Sequence, residues 1–501
     1  MNDKRFPLTL IMAAVAAMAN ASTLPQRIVE YDTVIAAPSA TTLANPALSP
    51  LRQPVSLSQV SAGFNKSKHM QSLSWEGTGD TDGFFSARTY LRTSKATITG
   101  HASYTNGKTT GVEGCEVTDA SLLYPYFTAD ETGGDFRRET YSFGGSYASS
   151  FAGNWRWGAG LAYTAIQSYR KIDPRPKNTV GRLSFNAGLG YDFLGHTIAI
   201  GLDAMKYKQS NDIMFVSELG ESKIYHSTGL GSHYARFAGM SKSAHYSGWQ
   251  RGISLNFARS SENGAFASAS FNRLTLDKTL TDLNNLPLNS IGENSYKIQG
   301  GWRTRHVSLS ANLDASHRTG KDNIFGDPAG NVYPQIATYP TFLRHNTQVG
   351  ILAAVRPVMG PSRRLDVWTN VAFSHTSDKY TGSLPARGSL LEYFSLAAGA
   401  EWVSAISSSF IIHAAADAAL TAPVTGRLDG IDGNSDFFLD KIFLRDFTYA
   451  SHHSSAAGIS AGADWLLPRF CTLGLRVAYR HSSHTPSQSG NRIETAINII
   501  F

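Results

Sequence analysis

Apolar and polar residues alternate one by one through most of this chain, and that period of two limits the folds open to it. From 183 to 193, Leu183, Phe185, Ala187, Leu189, Tyr191 and Phe193 alternate with Ser184, Asn186, Gly188, Gly190 and Asp192. From 307 to 316, Val307, Leu309, Ala311, Leu313 and Ala315 alternate with Ser308, Ser310, Asn312, Asp314 and Ser316. From 470 to 480, Cys471, Leu473, Leu475, Val477 and Tyr479 alternate with Phe470, Thr472, Gly474, Arg476, Ala478 and Arg480. Stretches near 155–165, 253–257, 365–373 and 394–402 follow the same rule. Successive side chains of a strand point to opposite sides, so each stretch has one apolar and one polar face.

A soluble β-sandwich alternates as well. Three features set this chain apart. Tyr141, Trp155, Tyr163, Tyr191, Phe193, Trp402, Trp465 and Tyr479 fall towards strand ends on the apolar face, where the aromatic girdles of a membrane barrel belong. Gly158, Gly160, Gly188 and Gly190 lie on the polar face and suit a crowded interior. The last alternating stretch sets Ile493, Thr495, Ile497, Ile499 and Phe501 against Arg492, Glu494, Ala496, Asn498 and Ile500. A strand ending in Phe501 resembles the signal recognised by the outer-membrane insertion machinery, which makes that machinery an expected partner.

Composition fits a wall with lipid on one side and water on the other. Charged residues make up 17%, below the ~25% of soluble domains, while mean hydropathy is only −0.20. The net charge of +7 is spread without a basic block, which argues against nucleic-acid binding. Lys4 and Arg5, the apolar run Phe6–Met18 and Ala19-Asn20-Ala21 read as a secretory signal peptide over residues 1–21. Residues 22–54 are rich in Pro, Ala and Thr and read as a periplasmic or barrel-mouth segment, with the barrel itself over 55–501.

Short connections at Ala152–Asn154, Leu194–Gly195, Ser261–Asn263, Thr304–Arg305, Gly360–Ser362, Ile406–Ser408 and Leu467–Arg469 alternate with long ones at 107–137, 209–241, 320–341 and 423–448. Short periplasmic turns and long outer loops are the pattern of an outer-membrane barrel. The expected fold is therefore all-β: a transmembrane antiparallel barrel of about 18 strands, within a range of 14–18. The first hairpin, around 55–92, is the ambiguous one. Outer-membrane lipid is the expected surrounding.

Motifs for chemistry are few. The chain has no G-x-S-x-G elbow, phosphate-binding glycine loop, Cys-x-x-Cys or His-Glu-x-x-His. His375 and His317 lie among serines, but no nucleophile–base–orienter set can be named, so the reading is of a barrel without catalytic or cofactor residues. A hairpin about 467–469 would set His452 opposite His484 on the inward register near the outer rim. Two imidazoles could contribute to a soft-metal or haem site, but two ligands do not make one, and solvated rim histidines are the simpler reading. Asp429-Gly430-Ile431-Asp432-Gly433-Asn434-Ser435-Asp436 gathers oxygen ligands of the kind Ca²⁺ takes, without EF-hand spacing, as any polar loop would. The stretch Asp322–Asp327 is a weaker version. No metal is assigned to either. Cys115 and Cys471 fall in a predicted loop and a predicted wall strand, and no disulfide is expected between them.

Two resemblances bear on function. Asn45-Pro46-Ala47-Leu48, just ahead of the first strand, resembles the Asn-Pro-Ala element of the fatty-acid-transporter barrels and their secretion-associated relatives. That resemblance implies an N-terminal hatch and passage of a hydrophobic ligand, although that family has fewer strands than are counted here. Ala102-Ser103-Tyr104-Thr105-Asn106-Gly107-Lys108, Tyr124-Pro125-Tyr126 and Gly133-Gly134-Asp135, with Phe501, are similar to an uncharacterised family of Bacteroidota outer-membrane barrels. It implies the barrel, an outer-membrane location, and work alongside TonB-dependent transporters or other outer-membrane proteins. The functional expectation is a transport channel or an accessory subunit of a transport machine. The alternatives are a hydrophobic-ligand transporter and a partner-binding barrel without an open pore.

Overall fold

The alternating stretches become long strands that pair edge to edge until the sheet meets itself. A computed structural model describes residues 23–217, 222–237, 239, 243–259, 263–330, 332–360, 362–431, 438–467, 471–485 and 488–501. In chain order the strands are β1 (Leu57–His69), β2 (Gly79–Arg92), β3 (Ala96–Val112), β4 (Thr128–Asp130), β5 (Gly134–Phe151), β6 (Trp155–Arg170) and β7 (Arg175–Phe193). They continue with β8 (His196–Met214), β9 (Ile224–Gly229), β10 (Ser232–His233), β11 (Ala244–Arg259), β12 (Gly264–Leu280), β13 (Leu286–Arg303) and β14 (Val307–Phe325). The last are β15 (Gln335–Gly360), β16 (Arg363–Tyr380), β17 (Arg387–Ser407), β18 (Phe410–Asp429), β19 (Ser454–Leu466), β20 (Thr472–His484) and β21 (Gln488–Ile500).

All but β4, β9 and β10 belong to one 18-stranded antiparallel sheet, closed by β1 against β21 from Gln59↔Ile500 to His69↔Gly490. Closure is what hydrocarbon demands, since an unpaired N–H or C=O there costs several kcal/mol. The ambiguous first hairpin is β1 and β2, paired from Leu57↔Tyr90 to Lys66↔Thr81. No described helix is long and apolar enough to cross a membrane.

The outward register carries the apolar side chains, among them Leu161, Phe185, Ile200, Leu202, Ile253, Ile351, Leu475 and Ile497, all exposed. Trp155, Tyr191, Trp302, Trp402 and Trp465 form the girdle on the side of the short turns, with Trp155 edge-on to Tyr191 at 5.0 Å. Leu194-Gly195 makes a two-residue turn with φ of 47° and 76°. Both positive angles belong to a type I′ turn, whose twist matches that of the strands. Inward-facing charges pair across strands, as in Arg344–Asp378 at 2.6 Å and Arg480–Asp417 at 2.9 Å.

Three of the long connections are shorter than their sequence suggests. β14 continues to Phe325 and β15 begins at Gln335, β8 reaches Met214, and β18 reaches Asp429. Above the lipid the apolar alternation is no longer required, yet ladder hydrogen bonds continue to form. The sequence signal therefore ends before the strands do.

Replacing outward Ile351 by Arg is expected to cost about 2–4 kcal/mol, the value for a cation near the bilayer midplane. Inward Lys297 pairs with Asp314 at 3.6 Å and stays 57% exposed, so Lys297→Met should cost no more than about 1 kcal/mol. Denaturant unfolding in lipid vesicles measures both, and equal costs would contradict the assigned faces.

Candidate functional site

Segments of the chain itself enter the lumen at both mouths. At the short-turn mouth, residues 23–56 cannot lengthen the ladder, because Pro25, Pro38, Pro46, Pro50 and Pro54 lack the N–H it needs. They form instead α1 (Leu24–Glu30) and 3₁₀ turns over Val34–Ser39, Thr42–Ala44 and Pro46–Leu51. This segment follows the inner wall. α1 touches β17, the next turn β13–β16, the third β11 and β12, and the last β5–β8.

Asn45-Pro46-Ala47 is the tightest contact. The Asn45 Oδ1 accepts from the Ala47 amide at 3.0 Å, and Asn45 Nδ2 donates to Asn256 Oδ1 at 3.0 Å. Asn256 Nδ2 in turn donates to the Thr42 carbonyl at 3.2 Å. The wall behind is Gly158, Gly188 and Gly201, on three adjacent strands. A Cβ on Gly158 would stand 2.5 Å from the Pro46 carbonyl, one on Gly188 2.0 Å from Asn45 Oδ1, and one on Gly201 3.0 Å from Asn45 Nδ2. Glycine is what lets the segment lie against the ladder. Further round, Gln299 Nε2 donates to the Pro38 carbonyl at 2.6 Å and Tyr90 Oη to that of Ser49 at 2.8 Å. Arg27 donates to the carbonyls of Ser56 at 2.8 Å and Phe501 at 3.1 Å.

At the outer mouth, residues 113–133, 222–237 and 438–450 turn inward and pack on one another. β9 joins β4 and β10 in a small sheet apart from the wall. Leu123, Tyr126, Phe127, Phe237 and Phe438 are buried in the largest apolar cluster of the described residues. Phe127 and Tyr225 lie 6.2 and 6.0 Å from Phe438, ring to ring. An adjoining apolar cavity of about 190 Å³ is lined by Tyr124, Phe127, Leu230, Phe438, Ile442 and Phe447.

Polar contacts fix this insert to the wall. Arg170, at the end of β6, is fully buried with Glu116 at 2.7 Å and with Asp130. Burial, with Asp130 beside it, holds the Glu116 carboxyl well above the usual carboxylate range, and the two acids share one guanidinium. The Glu116 carbonyl accepts from Asn178 at 2.8 Å and Asn211 at 2.9 Å. From β14, Arg318 donates to the Tyr124 carbonyl at 2.6 Å. The helix α3 (Arg445–Ala450) presents Asp446 to Ser74, accepting from its amide at 2.9 Å and its hydroxyl at 2.5 Å; a shorter helix, α2, spans Ala120–Leu123. Burial pushes the Asp446 carboxyl up to about 6 against the pull of those two donors and Arg445.

Between the two inserts the inward wall keeps water-facing ions, with Arg480 45% and Lys297 57% exposed. A cavity of about 490 Å³ opens beside the outer insert, where His69, Asp80, Asp119 and Arg138 meet Trp75 and Phe136.

The histidine geometry read from the sequence is corrected. His484 stands opposite Ser454, not His452. The ladder closes at Leu466↔Thr472, so the turn is centred one residue later than 467–469, and that moves the register by two. His484 stacks on Tyr449 at 4.0 Å and its Nε2 donates to the Tyr449 carbonyl at 2.6 Å, while His452 Nδ1 meets the Thr448 carbonyl at 2.5 Å. His317 and His375 face outward, His317 against His345 at 3.2 Å and His375 against Glu392 at 2.9 Å. Asp322 lies in β14 rather than a loop, and accepts from Thr341 at 2.7 Å. Of the 429–436 loop, Asp429 pairs with Arg427 at 3.1 Å, and 432–436 lie outside the described residues. Cys471 sits one residue before β20, not within it; both cysteines are free thiols, Cys115 buried in the outer insert. Burial pushes the Cys115 thiol up to about 12.

The fold is that of an outer-membrane-type β-barrel, with an 18-strand wall around two inserts drawn from its own chain. The chain belongs to the family of unknown function DUF6850, whose model matches residues 46–501. No curated protein matches it. Among solved structures it is similar to the ferric preacinetobactin receptor BauA of Acinetobacter baumannii, at 9% identity and TM-score 0.41 over 89% of this chain and 80% of that one. It is also similar to the outer membrane transporter YddB of Escherichia coli, at 7% and 0.38 over 88% and 81%. The toluene transporter TodX of Pseudomonas putida gives 10% and 0.29 over 92% and 93%. Overlaps this low speak to neither substrate nor mechanism.

Arg170→Gln leaves two buried acids without their cation and is expected to cost about 3–5 kcal/mol of insert docking. Differential hydrogen exchange over 113–133 reads that loss. Asp446 takes up a proton near pH 6 when docked but only near its ordinary 3.8 when released. The docked state therefore binds more protons across that window, and docking gains stability as pH falls from 7 towards 4. Exchange over 72–76 and 438–450 should slow at pH 5 relative to pH 7.5, after correction for intrinsic rates. In Asp446→Asn the difference should vanish; faster exchange at low pH would refute the assignment.

Proposed function

We propose that this chain is a gated conduit of a Gram-negative outer membrane, exported by residues 1–21, with residues 23–56 as its inner gate. The observation that carries the reading is the fit of Asn45-Pro46-Ala47 into the notch of Gly158, Gly188 and Gly201. A fixed structural plug would be held by a large apolar core. This segment is held largely by single hydrogen bonds and small apolar patches, each worth about 0.5–1.5 kcal/mol net for a hydrogen bond. Contacts of that size are separable one at a time.

The ions lining the lumen favour a polar solute over a fatty acid. The apolar cavity belongs to the outer insert, at the opposite mouth from Asn45, so a route for a hydrophobic ligand past the N-terminal segment lacks an apolar lining. The occupied lumen also favours a second reading, an accessory barrel that presents its outer surface to a TonB-dependent transporter or another outer-membrane protein.

Planar-bilayer conductance separates the two. The full chain is expected to conduct weakly, and Gly188→Val, whose side chain collides with Asn45, to conduct in larger or more frequent steps. Overpacking of this kind costs about 1–3 kcal/mol, so limited trypsinolysis at Arg27 and Arg52 should become faster in the same variant. A released segment without any rise in conductance, in a barrel shown to be folded, would sink the gate and leave the accessory reading.

A further inference from the structure

The outer face of β8, β11 and β12 breaks its own rule. Leu202, Ile253 and Phe271 keep the apolar register, and cations follow on the same face, at the next outward position on β11 and β12 and past Ala204 on β8. Lys206 and Lys208 follow on β8, Arg251 on β11 and Arg273 on β12. Arg251 and Arg273 are directly opposed in the ladder, and Lys206 is opposed to Trp249. Like charges set opposite one another across a strand pair are destabilising on their own.

No ion pair involves any of the four among the described residues. Two of them share one aromatic ring instead: Lys206 Nζ is 5.0 Å and the Arg251 guanidinium 5.9 Å from the centre of Trp249. Trp249 is itself 42% exposed on the outside of the barrel. A shallow groove of about 330 Å³ runs along the two arginines, lined by Trp249, Arg251, Ile253, Phe271, Arg273 and Thr275, with Lys206 outside that lining, against the Trp249 ring. The nearby outward acids are Asp212 and Asp277. Asp212 accepts from Ser210 at 3.1 Å, and Asp277 is opposed to Ser247. The cations thus lie between an apolar wall on the lipid side and polar residues on the water side.

We propose that this groove binds the phosphorylated headgroup of an outer-leaflet lipid, with its acyl chains along Leu202, Ile253 and Phe271. The inference rests on the membrane placement above but not on the gate. Guanidinium groups match phosphate oxygens in a fork, and ammonium groups add point charge. An anion lying between Arg251 and Arg273 removes their mutual repulsion. The apolar floor distinguishes a lipid from a free ion.

The test uses the folded full chain in phosphatidylcholine vesicles doped with a bis-phosphorylated glycolipid of the lipid A type, with binding read from Trp fluorescence and by native mass spectrometry after detergent extraction. The expected result is one retained glycolipid, affinity falling with added salt, and no retention of the dephosphorylated glycolipid. Arg251→Gln with Arg273→Gln should weaken binding at least about tenfold, or ~1.4 kcal/mol, with conductance unchanged. Trp249→Leu, which leaves every charge in place, guards against misfolding and should weaken binding less. Equal retention by the double variant, or by the dephosphorylated lipid, would overturn the site. Inorganic pyrophosphate binding as tightly as the glycolipid would overturn the lipid assignment and leave a phosphate site.

Discussion

Everything in this molecule depends on the ladder between β1 and β21. A sheet of this length could end in two free edges, and in water loops or charges would cover them. In hydrocarbon nothing can cover them, so the two ends of the sheet must satisfy each other. Gln59↔Ile500 to His69↔Gly490 is that mutual satisfaction. Once it is made, the inside of the wall becomes a separate compartment, and the chain populates it with its own segments.

The two inserts solve the same problem by different means. The outer one builds a small apolar core of its own around Phe127, Tyr225 and Phe438 and is tied to the wall by buried ions. The inner one has almost no core. It relies on donors from the wall, Asn256, Gln299 and Tyr90, each meeting a carbonyl of a backbone too rich in proline to join the ladder. On the proposed reading, this difference in construction is what suits the inner segment to move and the outer insert to stay as lining.

Much of the wall is legible in the sequence because lipid imposes a strict rule on every second residue. The periods around 183–193 and 307–316, the turn at Leu194-Gly195 and the girdle tryptophans all follow from it. The rule says nothing about residues above the lipid, which is why β14 and β15 outrun their apolar stretches. It says nothing about where a loop folds either. The helix Arg445–Ala450 falls mostly in residues that read as loop, and the pairing of His452 with His484 is lost because the turn closes at Leu466↔Thr472, one residue later than the sequence suggests. The glycines at 158 and 188 stand out as small inward residues, and Asn45-Pro46-Ala47 stands out as a motif. That the one receives the other, with Gly201 beside them, is a fact of closure that no local pattern carries. The triad of Arg170, Glu116 and Asp130 is similarly hidden, Arg170 lying 54 and 40 residues from the two acids. The cations at 206, 208, 251 and 273 are a different case, for they interrupt the outward register itself and can be found wherever the alternation is scored strand by strand.

One contact at the seam has a mechanical consequence. Arg27 holds the carbonyls of Ser56 and Phe501, and Phe501 in turn exchanges backbone bonds with Ser58. A pull from the periplasm on the residues before Leu24 therefore meets Arg27 first, at the joint of the first and last strands. After Arg27 yields, the load passes to Asp32, paired with Arg88 at 3.0 Å, then to Pro38, Thr42 and Asn45, one attachment after another round the rim. Bonds loaded in series of this kind peel at low force, whereas the wall, whose ladder would have to shear as a whole, stays intact.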